Sequence, residues 1–226
     1  MKNLILIPAR KNSKRIKNKN ILKIQKKPLI YWTINFAKKF KNCDLIISSD
    51  CKKVEKLCNK ENVYYLKRPN KISSDNTSIY EVIFNTLNKI KKQYNYIILL
   101  QPTSPLRKIS LVNKAIKILN KKKEFDSLIH LEFDKSFTGK LKKNVWEPDY
   151  KLNKRTQDIN DKLVPTGNLY IYRSHLFKKD IKLPKKTFGL VTNNETWVDI
   201  DDKRDLAILD FYLKNPKNRR LLVFNK

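Results

Sequence analysis

The sequence predicts an α/β fold: a three-layer, Rossmann-like, mostly parallel sheet with a β-arm inserted before its last strands. Three observations carry that expectation. Short apolar runs of strand length alternate with amphipathic stretches at helical spacing over residues 4–133. Several of those runs stop in polar or proline-bearing loops, as strand ends along one edge of a parallel sheet do. The alternation fails between about residues 134 and 165, then resumes. With 226 residues, 40% of them hydrophobic, the chain can bury a sizeable core. Residues 1–226 are therefore read as a single domain, with the arm at about 134–165.

The first strand is the apolar run at residues 4–7, stopped by Pro8, which cannot donate to a central ladder. A loop follows with Arg10, Lys11, Lys14, Arg15, Lys17 and Lys19 spaced by Asn and Ser. Residues 28–37 have helical spacing, with Pro28 at the start. A buried strand at 45–48 ends at Ser49-Asp50, a helix covers 51–62, and a short strand covers 63–66. Arg68-Pro69 opens a loop. Asp75 or Thr77 is expected to cap a helix reaching about residue 93, with Glu81 placed as in a capping box. The strand at 96–100 ends in Gln101-Pro102-Thr103-Ser104-Pro105-Leu106-Arg107, and Ser110 is expected to cap a helix to about residue 122. A strand at 127–133 precedes the break. Residues 137–161, around Trp146, read as a β-arm for a subunit contact or a lid. A strand at 169–172, a short helix near His175, a strand at 188–191, the extended Trp197-Val198-Asp199-Ile200-Asp201 and a helix at 202–213 complete the pattern.

A net charge of +30 would ordinarily suggest nucleic acid or an anionic membrane as partner. The distribution argues against both. The lysines are spread along the whole chain, and only nine of the 51 basic residues are Arg, the usual reader of bases and phosphates. No specific nucleic-acid partner and no membrane are expected, only a weak, salt-sensitive attraction to polyanions. The run at 4–7 is far too short for a secretory h-region, and no run approaches transmembrane length. Cys43, Cys51 and Cys58 lack metal-ligand spacing and read as small core residues, and His130 and His175 are isolated in sequence. Cytoplasm is the expected compartment.

Three polar clusters fall at strand ends along one sheet edge: the basic loop, Gln101 to Arg107, and Asp199 with Asp201. A strand that opens into a basic, polar loop is one way an α/β protein holds a phosphate: the loop supplies N–H donors and the cations offset the anion. The plainer alternative is a solvated basic surface loop. Asp199 and Asp201, two apart on an extended segment, point the same way and could hold Mg²⁺ together with phosphate oxygens. The plainer alternative there is a turn with Asp201 capping the helix that follows. A basic loop and a carboxylate pair on one sheet edge form the pattern of phosphoryl or nucleotidyl transfer.

Ile7-Pro8-Ala9-Arg10, Ser13-Lys14-Arg15 and Lys19-Asn20 together resemble the signature of the acylneuraminate cytidylyltransferases. Leu99 to Arg107 is similar to their second motif, and Arg68-Pro69 with Ser74-Asp75 and Thr77-Ser78 to a third. Gly167 with Tyr170-Ile171, and Asp199-Ile200-Asp201 with Asp205-Leu206, fit the remaining two, in family order. The resemblance implies attack by the anomeric hydroxyl of a nine-carbon 2-keto-3-deoxy sugar acid on the α-phosphate of CTP, with release of pyrophosphate. It implies a cytidylyltransferase domain with a fold of nucleotide-diphospho-sugar transferase type, Mg²⁺ as cofactor and a homodimer joined through the arm. Carried over by position, Arg10, Lys14 and Asp201 would be catalytic. Ala9, Arg10, Ser13, Lys14, Lys19, Asn20, Arg68 and Ser78 would bind CTP. Gln101, Thr103, Ser104 and Arg155 would bind the sugar, and Asp199 and Asp201 the metal. The sequence departs from the family pattern where Lys11-Asn12 replaces Gly-Gly, where Thr166-Gly167-Asn168 replaces Asn-Gly-Ala, and where an Arg is missing near Val164. Sialic, legionaminic and pseudaminic types of acid are all allowed. The alternatives are a cytidylyltransferase for the eight-carbon ulosonate KDO or another sugar nucleotidyltransferase and, remotely, a basic nucleic-acid-binding protein.

Overall fold

A computed structural model describes residues 1–134, 136–151, 155, 162–192 and 198–214. In chain order, β1 (Asn3–Pro8) leads through the basic loop and a 3₁₀ turn to a small hairpin of β2 (Lys23–Ile24) and β3 (Lys27–Pro28). Then come α1 (Leu29–Ala37), β4 (Cys43–Ser49), α2 (Lys52–Glu61), β5 (Tyr64–Lys67), α3 (Ile79–Ile90), β6 (Tyr96–Leu99) and α4 (Ile109–Lys121). The second half holds β7 (Ser127–Asp134), β8 (Gly139–Lys142), β9 (Val145–Pro148), β10 (Lys162–Arg173), β11 (Thr187–Val191) and α5 (Lys203–Lys214).

Seven strands form one sheet in the order β11-β7-β10-β6-β1-β4-β5. All neighbours are parallel except β10, which runs antiparallel to both β6 and β7. The sheet is thus the mostly parallel one expected. Strand order reverses between β1 and β6, so a crevice opens at their carboxyl ends.

The strands are apolar on both faces because helices cover both. Alternation sends Leu4 and Leu6 of β1 to one face, beside Ile97 and Leu99 of β6 and Ile83 of α3. Ile5 and Ile7 go to the other, beside Ile30 and Ile34 of α1 and Leu111, Ala115 and Leu119 of α4. Each of these β1 side chains is fully buried and contributes roughly 1.5–3 kcal/mol relative to exposure. A third cluster seats α5 through Leu209 and Leu213 against Val198, Ile200 and Leu106, next to the crevice.

Local signals differ from the expectation at three helix starts. α3 is capped by Ser78, whose hydroxyl accepts from Glu81 N at 3.2 Å while Glu81 Oε2 accepts from Ser78 N at 2.8 Å. A capping box spans three residues, so Glu81 selects Ser78 over Asp75 or Thr77. The same helix stops at Ile90 because Lys91 turns left-handed, at φ 53°. α4 starts at Ile109 after Lys108, without a side-chain cap, which places Ser110 inside the first turn. α5 is capped by Asp202, whose Oδ1 accepts from Arg204 N (2.6 Å) and Asp205 N (3.1 Å), so Asp201 is not the cap.

Strands β7 and β10 reach into the range read as the arm, at about 134–165. β7 and β10 run on together as an antiparallel ribbon, with Lys162 opposite Asp134 and Leu163 opposite Phe133. Residues 162–165 therefore belong to a strand. Pro165 is tolerated there because β6 pairs only with residues 170–173 of β10. Beyond the ribbon, β8 and β9 form a hairpin turned by Lys143 and Asn144, at φ 46° and 67°. Phe133, Leu163, Leu141, Val145 and Trp146 on these strands are exposed apolar residues. Residues 135, 152–154 and 156–161 of the expected arm and Trp197 of the last extended segment lie outside the described residues.

Candidate functional site

A cleft of about 460 Å³ opens at the carboxyl edge of the sheet, at the crossover between β1 and β6. Its floor is the loop after β1. Ala9 is buried beneath that loop and fixed at both ends: its N–H donates to Ser48 O at 2.9 Å and its carbonyl accepts from Ser49 Oγ. Asp50 Oδ1 accepts from Lys11 N at 2.6 Å, which ties the next peptide to the end of β4. Asn20, nearly buried, donates from Nδ2 to Arg10 O at 2.9 Å and closes the loop from its far side. Asn18 supplies the left-handed residue the loop requires, at φ 58°.

The loop's cations divide between two walls. On one side Arg10 pairs with Asp75 and donates to Ser74 O at 3.3 Å, while Lys14 Nζ lies 3.5 Å from Asp75 Oδ2. On the other, Arg15 Nη1 lies 2.5 Å from Asp201 Oδ2, and Lys19 Nζ lies 3.3 Å from Asp201 Oδ1 and also donates to Ile200 O. Arg68 forms a buried side of the cleft, donating to Ser48 O at 2.7 Å and Ser48 Oγ at 3.2 Å. Burial pulls its guanidinium down to about 10, with Arg10 adding like-charge repulsion and Asp50 opposing it, so Arg68 stays charged at neutral pH.

The carboxylate wall is built by burying its alternate residues. Val198 and Ile200 turn into the core, so Asp199 and Asp201 face the cleft, as period two requires. Ile200 N donates to Thr103 O at 2.8 Å and pins this segment to the loop after β6. Ser104 is fully buried and donates from Oγ to Asp199 Oδ1 at 3.1 Å. Opposite stands Gly167, at φ 71°, where β10 slips register between Pro165 and Tyr170. The irregularity bends the strand toward Asp199, a use of β-bulges common beside functional sites. Behind it the buried Arg107 donates to Asn168 O (2.7 Å), Gln101 O (2.6 Å) and Thr33 Oγ1 (3.1 Å), bracing β10, the loop after β6 and α1. Burial lowers Arg107 to about 9, partly offset by the nearby Asp199.

Of the residues marked from sequence, Arg10, Ser13, Lys14, Lys19, Asn20, Arg68, Gln101, Thr103, Asp199 and Asp201 line this one cleft. Four do not. Ala9 lies under the loop, and Ser104 lies behind Asp199, which it orients. Ser78 is exposed with its hydroxyl committed to the α3 cap, and Arg155 is exposed on the arm. Sequence reasoning missed Asp75 and Arg15 as charge partners and Arg107 as a brace. Asp75 and Arg107 lay inside motifs already singled out, but their contacts join residues far apart in the chain.

Among the described residues no group of three or more His, Cys, Asp or Glu gathers as a metal centre. Asp199 and Asp201 offer carboxylate oxygens only. That donor set suits Mg²⁺, which takes one or two carboxylates and completes its shell with water and phosphate oxygens.

Fold and cleft together have the form of an α/β nucleotidyltransferase. Comparison narrows this to a family: the cytidylyltransferase family model matches residues 4–196, and the chain belongs to that family. It is 25% identical to an N-acylneuraminate cytidylyltransferase of Escherichia coli over 96% of this chain and 53% of the relative. It is 29% identical to the pseudaminic acid cytidylyltransferase of Campylobacter jejuni over 95% of this chain and 97% of the relative. The chain spans about half the length of the N-acylneuraminate cytidylyltransferases it matches. Among solved structures, a CMP:2-keto-3-deoxy-manno-octonic acid synthetase complexed with CTP superposes at a TM-score of 0.70. That match covers 94% of this chain and 98% of the other at 16% identity, which is a likeness of fold.

Proposed function

We propose that the chain transfers CMP from CTP to the anomeric hydroxyl of a nine-carbon 2-keto-3-deoxy sugar acid, releasing pyrophosphate. The observation that carries this reading is the cleft itself: a cation-rich loop faces a carboxylate pair across the carboxyl edge of a cytidylyltransferase-family sheet. Arg10, Ser13, Lys14 and Lys19 would hold the triphosphate, taking up charge as the bond from the α-phosphorus to the bridging oxygen breaks. Arg68 and Asn20, which line the same cleft, would hold the nucleoside, and Gln101 and Thr103 would contact the sugar. The sugar oxygen attacks the α-phosphorus and gives up its proton, for which Asp201, half-exposed at the cleft, is the nearby carboxylate.

Asp199 and Asp201 would hold Mg²⁺. Bound there, the ion would offset phosphate charge and align the reacting groups. Ser104 keeps Asp199 in place, while Asp201 would exchange its contacts with Arg15 and Lys19 for the ion. We further propose a homodimer joined through the exposed apolar residues of the ribbon and hairpin, Leu163, Phe133, Leu141 and Trp146 among them. No described helix is long and apolar enough to cross a membrane. A cytoplasmic enzyme without a specific nucleic-acid partner is our reading of place and partners.

The test is pyrophosphate release with Mg²⁺ and CTP against N-acetylneuraminate, legionaminate, pseudaminate and KDO, with ATP, GTP and UTP as controls. Release with CTP and one nine-carbon acid is the expected result. Release with KDO alone would replace the acceptor assignment. Silence across the panel from folded protein would overturn the reaction.

A further inference from the structure

His130 is fully buried on β7, with both ring nitrogens engaged. Nδ1 lies 2.6 Å from Thr166 Oγ1 on β10, and Nε2 lies 2.8 Å from Thr192 Oγ1, just past the end of β11. The central strand of the three thus ties its two neighbours together through one side chain. Thr166 Oγ1 is a junction, because Asn168 N also donates to it at 3.2 Å. That bond spans Gly167 and holds the bulge in its bent form. The Gly167 backbone in turn stands against Asp199: a Cβ placed on it would lie 3.1 Å from Asp199 Oδ2. A continuous path therefore runs from the imidazole through one hydroxyl and one peptide to a carboxylate of the cleft.

We propose that His130 is a positioning residue: through Thr166 it fixes the Gly167 bulge that seats Asp199 for metal binding. The proposal rests on the reading of Asp199 as a metal-binding carboxylate. The Nδ1 side of the ring carries the effect. The Nε2 bond to Thr192 anchors the strand end and leaves Asp199 unaffected.

The two sides can be separated by amide isosteres. An Asn amide reaches the position of a His Nδ1, and a Gln amide that of Nε2. Outer partners that orient metal-binding groups typically matter by 10–100-fold in metal affinity. The experiment titrates Mn²⁺ by electron paramagnetic resonance into full-length protein with saturating CTP and no sugar, so that turnover plays no part. His130→Gln and Thr166→Val are expected to weaken Mn²⁺ binding about tenfold. His130→Asn and Thr192→Val are expected to stay within about twofold of the parent. Melting temperatures and metal-free CTP affinity, measured alongside, identify variants that have merely lost structure. Unchanged Mn²⁺ affinity in folded Thr166→Val and His130→Gln overturns the proposal while leaving the metal reading in place. Equal weakening in all four variants also overturns it, since that marks general destabilisation. A parent protein that takes up no Mn²⁺ with CTP present overturns the metal reading and this proposal together.

Discussion

Replacing Gly167 with Ala tests how tightly the bulge and the carboxylate wall are fitted. The residue sits at φ 71°, which costs a non-glycine residue roughly 1–2 kcal/mol. An added Cβ would meet Ser104 Oγ at 2.5 Å and Asp199 Cγ at 3.2 Å. Ser104 is fully buried and bonded to Asp199, so it cannot swing aside as an exposed side chain would. Overpacking of this kind adds about 1–3 kcal/mol. The combined loss of about 3 kcal/mol corresponds to a fall of roughly 6–12 °C in melting temperature for a chain of this size. Relief of the clash moves Ser104 and Asp199 together, and a displacement of about 1 Å at a reacting centre costs on the order of 100-fold. Thermal unfolding by circular dichroism and pyrophosphate release as a function of Mg²⁺ measure the two effects. A melting temperature and turnover both equal to the parent's would refute the close approach. Lost stability with full turnover would show that the seat of Asp199 does not limit the reaction.

Asp201→Ala should abolish turnover with the fold intact, since its carboxylate is half-exposed and its ion-pair partners among the described residues are Arg15 and Lys19; steady-state rates near the parent's would remove it from the mechanism. Lys14→Ala should lower turnover by about 2–4 kcal/mol of transition-state stabilisation and leave urea unfolding unchanged, because its side chain is largely exposed; a rate equal to the parent's would remove the phosphate role. Arg107→Leu should lose about 3–5 kcal/mol in urea unfolding, because Gln101 O, Asn168 O and Thr33 Oγ1 lose a buried donor; a loss under about 1 kcal/mol would show that the brace is dispensable. Burial, with Glu55 adding repulsion, pushes the Cys58 thiol up to about 12, and burial also pushes the Tyr65 hydroxyl to about 12. Both groups are raised on folding, so their contribution is complete below their unfolded values of 9.0 and 10.0 and is lost as pH rises toward 12. Urea midpoints should therefore hold from neutral pH to about 9 and then fall, and Cys58→Ala should flatten the onset; a midpoint constant to pH 11 would contradict this.

What the sequence made legible is what depends on near neighbours. The run at β1 reads as a doubly buried strand because every residue from Leu4 to Ile7 is apolar. The common direction of Asp199 and Asp201 follows from period two, and it holds without a ladder strand because Val198 and Ile200 have a core to enter. Features set by distant pairing stayed hidden. The direction of β10 depends on how residues 134 and 162 meet, and no local pattern encodes it. His130 looked isolated because its partners lie 36 and 62 residues away. Ser104 and Arg107 read as polar loop residues, yet both are buried because the loop after β6 is roofed by the segment carrying Asp199 and by β10. The α3 cap was legible and misassigned: counting three residues back from Glu81 gives Ser78.

The basic loop shows how a charge excess becomes a site. Most of the +30 charge is scattered and solvated, and scattered lysines attract anions without placing them. The loop after β1 differs because its cations are aimed: Arg10 and Lys14 toward the Asp75 wall, Arg15 and Lys19 toward the Asp201 wall. The cations outnumber the carboxylates they face. A flexible polyanion entering between the walls would thus meet positive charge from both sides. It would compete with one carboxylate on each side for the same donors. On the proposed function Asp75 would have no further part once Arg10 and Lys14 are taken, whereas Asp201, relieved of Arg15 and Lys19, would take a cation brought in with the nucleotide. On the proposed function, the asymmetry between the two walls, set by which carboxylate has Asp199 beside it, would give the cleft a phosphate side and a metal side.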